Sequence, residues 1–378
     1  MKYYLIAGEA SGDLHGSNLI KEIRFKDPEA EFRAWGGDLM AEAGAQLVKH
    51  YRDLAFMGFA EVLMNLKTIL KNLKFCKQDI LRFHPDVIIL IDYPGFNLRI
   101  AEWGKENGFK IVFYISPQVW AWKESRVPKM KKNIDKMLVI LPFEKNYFEE
   151  KWQWKVDYVG HPLLEVVENF KATEKSNPEK FFNPVIDESR KEIIALLPGS
   201  RKQEILKKLP VMLSVTKKFP DYRFIVAKAP GQTDSFYDDL LSGHENVETV
   251  GNATYHLLNH AKAALVTSGT ATLETALFGV PEVVCYKGNP VSYHIAKRLI
   301  KIKYISLVNL IMDKPVVTEL IQNDLNEKNL TRELNLLLND PEKIRQIKKD
   351  YAELKRILSK EGNASAKAAS LILEFLRK

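Results

Sequence analysis

Three segments of this chain carry residues suited to phosphate and proton chemistry. In Thr267-Ser268-Gly269-Thr270-Ala271-Thr272-Leu273-Glu274 an apolar run ends, small residues make a turn and a helical pattern begins. The unpaired N–H groups and positive dipole end of such a helix seat a diphosphate at Ser268, Gly269 and Thr270. Glu274, four residues after Thr270, shares its helical face and can accept hydrogen bonds from a ribose diol. The plainer alternative is a capped helix start with a solvated Glu. The turn Pro198-Gly199-Ser200-Arg201 places a permanent cation after another apolar run, where Arg grips phosphate oxygens bidentately or else pairs with Glu204 on the surface. Asp92, emerging from the apolar run 87–91, is either a turn former or a partly buried carboxylate able to act as a base.

Weaker signals lie nearby. Trp120 and Trp122 close the segment Ile115-Ser116-Pro117-Gln118-Val119-Trp120-Ala121-Trp122, and their rings either plug a domain interface or floor a sugar site. His161, in Gly160-His161-Pro162, reads as a structural turn histidine. The chain has no H-E-x-x-H, no paired C-x-x-C and no D-x-D, so no metal is expected. It also lacks G-x-G-x-x-G and G-K-[ST], which argues against nicotinamide cofactors and P-loop phosphates, and no cofactor is expected.

The elements that must position these residues form two similar series. Tyr3 to Ala7 runs as a buried strand into the turn Gly8-Glu9-Ala10-Ser11-Gly12-Asp13 and then a helix, and Ile193 to Leu197 repeats the pattern through Pro198 to Arg201. A strand that enters a glycine turn and leaves as a helix opens a doubly wound α/β domain, whose ligands gather at the carboxyl ends of the strands. Further strands are expected at 32–35, 87–91, 111–115, 137–141 and 157–162, then at 223–227, 247–250, 263–267 and 283–286, with helical intervals between them. Two Rossmann-like domains follow, 1–170 and 191–350, with a cleft between them. Residues 171–190 have the composition of a linker, and residues 351–378 are helical. Asp340-Pro341 starts one late helix and Asn363 caps another.

The 378 residues suit two domains, with 46% hydrophobic and 28% charged residues in the ordinary globular range. The net charge of +8 favours an anionic partner without choosing among nucleotide, lipid headgroup and nucleic acid. Cys76 and Cys285 both lie in apolar stretches, which suits a reducing compartment without disulfides. The first apolar run stops at Glu9, too short for a signal peptide, and no run approaches the ~18 residues of a membrane span, so a cytoplasmic location is expected. Val62, Leu63, Leu66, Ile69, Leu70 and Leu73 lie within roughly 120° of a helical wheel. They are flanked by Lys67, Lys71 and Lys74, and a further basic cluster runs from Lys123 to Lys136. Such a stripe either buries against a sheet or lies on an anionic membrane surface.

Together the segments resemble the lipid-A-disaccharide synthase family, glycosyltransferase family 19. The resemblance rests on G-E-A-S-G-D at 8–13, A-F-M-G-F-A-E-V-L at 55–63, I-D-Y-P-G-F-N at 91–97 and Y-I-S-P-Q-V-W-A-W at 114–122. It continues through L-P-F-E at 141–144, V-G-H-P at 159–162, L-P-G-S-R-K-Q-E-I at 197–205 and T-S-G-T-A-T-L-E at 267–274. It implies a GT-B fold with C-terminal helices crossing back to the N-terminal domain. It also implies an inverting transfer of diacylglucosamine from its UDP donor to the 6-hydroxyl of 2,3-diacylglucosamine 1-phosphate. On this resemblance Asp92 is the general base, Arg201 neutralises the departing diphosphate, and Ser200, Ser268, Gly269, Thr270, Glu274 and Asn309 hold the nucleotide. Glu9, Ser11, Gln118, Trp120 and His161 are assigned to the acceptor side. Gly95 stands where members often carry a second Asp, Val308 replaces a common Pro, and Glu282 follows Pro281 where an apolar residue is usual.

Acylated substrates must come from a membrane, so the resemblance also favours membrane contact by Val62, Leu63, Leu66, Ile69 and Leu70, on the inner face of the cytoplasmic membrane. The alternatives are another UDP-N-acetylglucosamine enzyme of the same fold, a 2-epimerase or a different glycosyltransferase, and a non-catalytic nucleotide-sugar binder. Nucleic acid is not expected as a partner, because the basic residues are scattered and no binding motif accompanies them.

Overall fold

Short apolar runs become parallel strands here because both faces of each sheet are covered by helices, and a strand buried on two sides needs an unbroken hydrophobic sequence. The computed structural model describes residues 1–54, 66–187, 191–289, 293 and 302–377. The chain divides into two compact units, Met1–Pro162 with Ser359–Lys378, and Leu163–Leu358.

In the first unit the described strands are β1 (Lys2–Ala7), β2 (Glu31–Gly36), β3 (Gln46–His50), β4 (Val87–Ile91), β5 (Lys110–Tyr114), β6 (Lys136–Val139) and β7 (Asp157–Tyr158). They form a parallel sheet in the order β3-β2-β1-β4-β5-β6-β7. The helices are α1 (Ala10–Lys26), α2 (Asp38–Glu42), α3 (Leu66–Phe83), α4 (Pro94–Glu106), α5 (Val127–Asn133) and α6 (Pro142–Asn146). Strand order reverses between β1 and β4, and such a switch point is where an open α/β sheet leaves room for a ligand. The register pairs Ala7 with Ile91 and Ile91 with Tyr114, so Gly8, Asp92 and Ile115 leave the sheet side by side.

The second unit repeats the plan. Its first helices are α7 (Pro162–Ser176), α8 (Pro178–Phe181) and α9 (Pro184–Asp187). The sheet contains β8 (Ile193–Leu197), β9 (Arg223–Lys228), β10 (Val247–Gly251), β11 (Ala261–Thr267), β12 (Glu282–Tyr286) and β13 (Thr318–Ile321), in the order β10-β9-β8-β11-β12-β13. The helices α10 (Lys202–Leu213), α11 (Asp234–Leu241), α12 (Thr254–His260), α13 (Thr270–Phe278), α14 (Leu307–Met312), α15 (Glu327–Asn339) and α16 (Pro341–Leu358) complete it. Alternate β8 residues pack on opposite faces, Ile194 and Leu196 on one and Ile193, Ala195 and Leu197 on the other. The switch point lies between β8 and β11, where Leu197 pairs with Val266, so the turns at Pro198 and Ser268 are neighbours.

Three details differ from the sequence expectation. The units divide at Pro162, and the described part of the segment with a linker's composition is helical, because Pro162, Pro178 and Pro184 each occupy the start of a helix, where their fixed φ is favourable. The crossing back to the first unit begins at Ser359, so residues 351–358 stay with the second. The last helix, α17 (Ala364–Leu376), packs on α1, and its cap is Asn363, whose Oδ1 accepts from the Ala366 N–H at 2.7 Å. Edge strands β3 and β13 carry no expectation from sequence. Cys76 and Cys285 are free thiols and buried.

Candidate active site

The switch point of the first unit is backbone under strain. Asp92 and Tyr93 have φ of 45° and 49°, and Ile115, at the end of the neighbouring strand, has φ of 68°. Left-handed backbone is costly for a β-branched residue, and such strain persists only where surrounding contacts hold it. Asn97, fully buried on α4, supplies some of them: its Nδ2 donates to the Ile6, Ile91 and Asp92 carbonyls at 3.2, 3.3 and 2.7 Å. The Tyr93 ring lies over Gly8, where a Cβ would come within 2.3 Å of Tyr93 Cγ, so Gly8 is needed for this close approach.

This packing sets the chemistry of Asp92. Burial, with the Glu9 carboxylate adding, raises its pKa from the ordinary carboxylate range to about 7, while the Tyr93 backbone N–H opposes the shift. Glu9 stands at the N-terminus of α1. A second carboxylate comes from α6. Glu144 is buried, accepts from Trp120 Nε1 at 3.1 Å and from the Ile140 and Leu141 N–H groups at 3.2 and 2.9 Å, and is raised to about 7, chiefly by burial, with Asp92 adding. The carboxylates that influence Asp92's surroundings are therefore Glu9 and Glu144, although position 95 carries none. A pKa near neutrality is the value a general base needs.

At the second switch point the groups are cationic and helical. Arg201 precedes α10, is half-exposed and lies 3.6 Å from Glu204. Lys208, buried on the same helix, reaches Thr267 Oγ1 and lies 3.7 Å from Glu204, and burial lowers its pKa. Gly269 has φ of 147°, a conformation that favours glycine, and leads into the nine-residue α13. Ser268 Oγ donates to the Ile305 carbonyl at 2.8 Å. Glu274 accepts from Tyr255 OH at 2.7 Å, and burial raises its pKa.

The expected site residues thus fall into two groups, one at each switch point. Glu9, Ser11, Asp92, Gln118, Trp120 and His161 belong to the first unit; Ser200, Arg201, Ser268, Gly269, Thr270, Glu274 and Asn309 belong to the second. Three of these side chains are held within their own unit. Asn309 is buried with its amide engaged: Nδ2 donates to the Val317 carbonyl and to Glu319, and Oδ1 accepts from the Val317 N–H, so it braces its own loop. His161 is buried, and burial, with His15 nearby, lowers its pKa to about 3, so it stays neutral. Trp120 has its indole N–H turned to Glu144 and its ring edge-on to Phe143.

The amphipathic stripe divides. Val62 and Leu63 lie outside the described residues, as does the Leu66 side chain. Ile69 is half-buried and packs against the core beside buried Leu73, Cys76 and Ile80. Leu70 is 56% exposed, and Phe75 and Leu81 are exposed with it. In the basic cluster Lys129 pairs with Glu102 and Lys136 with Asp157, while Lys131 donates to the Trp152 and Gln153 carbonyls. Sequence reasoning missed Asn97, Glu144 and Lys208. The first two stand inside the quoted segments at 91–97 and 141–144, and Lys208 follows Glu204 by one helical turn.

Comparison with known proteins adds to this geometry. A family model described as lipid-A-disaccharide synthetase matches residues 3–375. The lipid-A-disaccharide synthase of Geobacter sulfurreducens is 35% identical over 379 residues, covering 99% of this chain and 97% of that protein. The synthase of Coxiella burnetii is 36% identical over 374 residues, covering 97% and 96%. Among solved structures, a UDP-GlcNAc 2-epimerase from Neisseria meningitidis bound to UDP-GlcNAc is similar with a TM-score of 0.70 at 14% identity, covering 99% of this chain and 100% of that one. The glycotransferase of kitacinnamycin has a TM-score of 0.63 at 14% identity, with 99% of both chains covered. At such identities the solved structures speak for the fold alone.

Proposed function

The chain belongs to the lipid-A-disaccharide synthetase family, is a glycosyltransferase of lipid A biosynthesis with a GT-B fold, and uses a nucleotide-sugar donor and a sugar-phosphate acceptor; from that premise we propose how its residues divide the reaction. The donor is UDP-2,3-diacylglucosamine and the acceptor 2,3-diacylglucosamine 1-phosphate. The Asp92 carboxylate takes the proton of the acceptor 6-hydroxyl as that oxygen attacks the donor's anomeric carbon, and the bond to UDP breaks on the opposite face, inverting the centre. The products are the disaccharide 1-phosphate and UDP. The carrying observation is Asp92 itself, a carboxylate on strained backbone at a switch point with a pKa of about 7.

Arg201, Lys208 and the N-terminus of α13 hold the diphosphate and carry the charge that develops as it leaves. Glu274 accepts from the ribose. A cavity of about 250 Å³ beside the Asp92 turn, lined by Pro94, Gly95, Arg99, Ser125, Arg126 and Lys129, supports phosphate binding on the acceptor side. Incubation with the two lipid precursors tests the assignment. A disaccharide detected by mass spectrometry, with UDP release that requires the lipid acceptor, is expected; turnover of UDP-N-acetylglucosamine alone would instead indicate an epimerase.

The same reading includes contact with an anionic membrane surface on the cytoplasmic side. Leu70, Phe75 and Leu81 project from α3 among Lys67, Lys71 and Lys74, and Leu70 and Leu81 border a groove of about 590 Å³ against α4. Exposed apolar side chains among lysines suit the headgroup region. Among the described residues no helix is long and apolar enough to cross a membrane.

A further inference from the structure

Outside the groups that act on the sugar nucleotide, two carboxylates and two histidines meet on α7, α9 and α12. His256 and His260 lie one helical turn apart on α12, and Glu174 stands 82 residues before His256 in the chain. Glu174, His256 and His260 each offer one ligand atom, and these atoms lie within 4.8 Å of one another. We infer that Glu174, His256 and His260 form a binding site for a divalent transition-metal cation of the zinc class, which clasps α7 and α9 to α12.

The surrounding hydrogen bonds orient the ligands. His256 presents Nδ1 to Glu174 Oε1 and Nε2 to Asp187 Oδ2, the latter at 3.0 Å. Both ring nitrogens of His256 thus face carboxylates, so the cation takes the place of the hydrogen between Nδ1 and Glu174, while Asp187 behind the ring holds its orientation through Nε2. His260 Nδ1 donates to the His256 carbonyl at 2.9 Å, which turns Nε2 towards the cluster, 3.7 Å from Asp187 Oδ1. Asn259 Nδ2 donates to Glu174 Oε2 and fixes that carboxylate in turn. Two imidazoles and a carboxylate are a borderline donor set that suits zinc.

Burial and an adjoining cavity suit the same site. The side chains of Glu174 and His256 are 9% and 7% exposed. Glu174, His256 and His260 line a cavity of about 920 Å³ together with Asp187, Lys171 and Lys175. His260 immediately precedes β11, whereas Ser268 follows its other end, so the seven residues of that strand put the site about 20 Å from the nucleotide turn.

The test uses the full chain, stripped with a chelator and titrated with Zn²⁺ by calorimetry, with bound metal counted by mass spectrometry. One equivalent per chain should bind and raise the melting temperature. His260→Ala, at a half-exposed position, should weaken binding at least tenfold, and Asp187→Asn by about 10- to 100-fold. UDP binding by both variants, unchanged from the parent, shows that they remain folded. Failure to bind one equivalent, or equal affinity in His260→Ala, overturns the site.

Discussion

Replacing Asp92 with Asn should separate activity from stability in opposite directions. Asn is nearly isosteric and tolerates the left-handed backbone at this position, where φ is 45°. It cannot take a proton, so turnover should fall by about 10² to 10⁴-fold, while UDP affinity stays within about twofold of the parent. In the parent enzyme a base with a pKa of about 7 is roughly one-tenth ionised at pH 6 and nine-tenths at pH 8, so kcat/KM should rise about tenfold over that interval. Glu9→Gln removes a like charge and should move the rise to lower pH.

Stability should run the other way. Folding raises the pKa of Asp92 from 3.8 to about 7, so the ionised group is disfavoured in the folded state. The resulting loss of stability is absent below pH 4, grows as pH rises and is complete above about pH 7. Three pH units correspond to about 4 kcal/mol. Asp92 is partly accessible and solvent screens part of this, so Asp92→Asn should gain about 2 to 4 kcal/mol at pH 8 and almost nothing at pH 4. Coupled UDP-release kinetics and urea unfolding at both pH values provide the measurements. A loss of activity below about tenfold assigns the proton transfer elsewhere, and equal stability at pH 8 refutes the buried charge.

Further outcomes follow from the same structure. Glu282 is fully buried, its carboxylate oxygens have no hydrogen-bond partner among the described residues, and burial followed by the Glu319 charge raises its pKa. Stability tied to its protonated form is lost as pH rises, so Glu282→Leu should stabilise by about 1 to 3 kcal/mol at pH 8 and by less at pH 4, measured by urea unfolding. Arg201→Ala should weaken UDP binding about tenfold or more by calorimetry, with Arg201→Lys recovering only part because it lacks the planar fork. Replacing Leu70, Phe75 and Leu81 together with Ser should leave the melting temperature nearly unchanged and reduce sedimentation with anionic vesicles; unaltered sedimentation would remove α3 from the membrane contact. EDTA should leave the initial rate intact, since Arg201, Lys208 and a helix N-terminus supply the positive charge at the diphosphate, and loss of rate restored by Mg²⁺ would contradict that arrangement.

The sequence by itself determined the two α/β units and the glycine turns that close their first strands, while strand order, and with it the switch points, came from the structure. Strands such as β4 and β8 are buried on both faces, so they read as unbroken apolar runs, and the glycine turns after them are local signals. It also marked Asp92 and Arg201 as candidates, because each follows such a run directly. Edge strands β3 and β13 are only partly buried, and their short mixed sequences carry no comparable pattern. Which side of α3 faces the core was decided by packing: Leu73 is buried and Leu70 exposed within one apolar stripe, because a wheel gives the stripe's width but not which part meets the sheet. Only the tertiary structure turned Asn309 to its own loop, placed Glu9 beside Asp92 and buried Lys208 under Thr267. It alone gathered Glu174, Asp187, His256 and His260. Apart from the Asn309 loop and the His256–His260 turn, those contacts join residues tens of positions apart, so no local pattern encodes them.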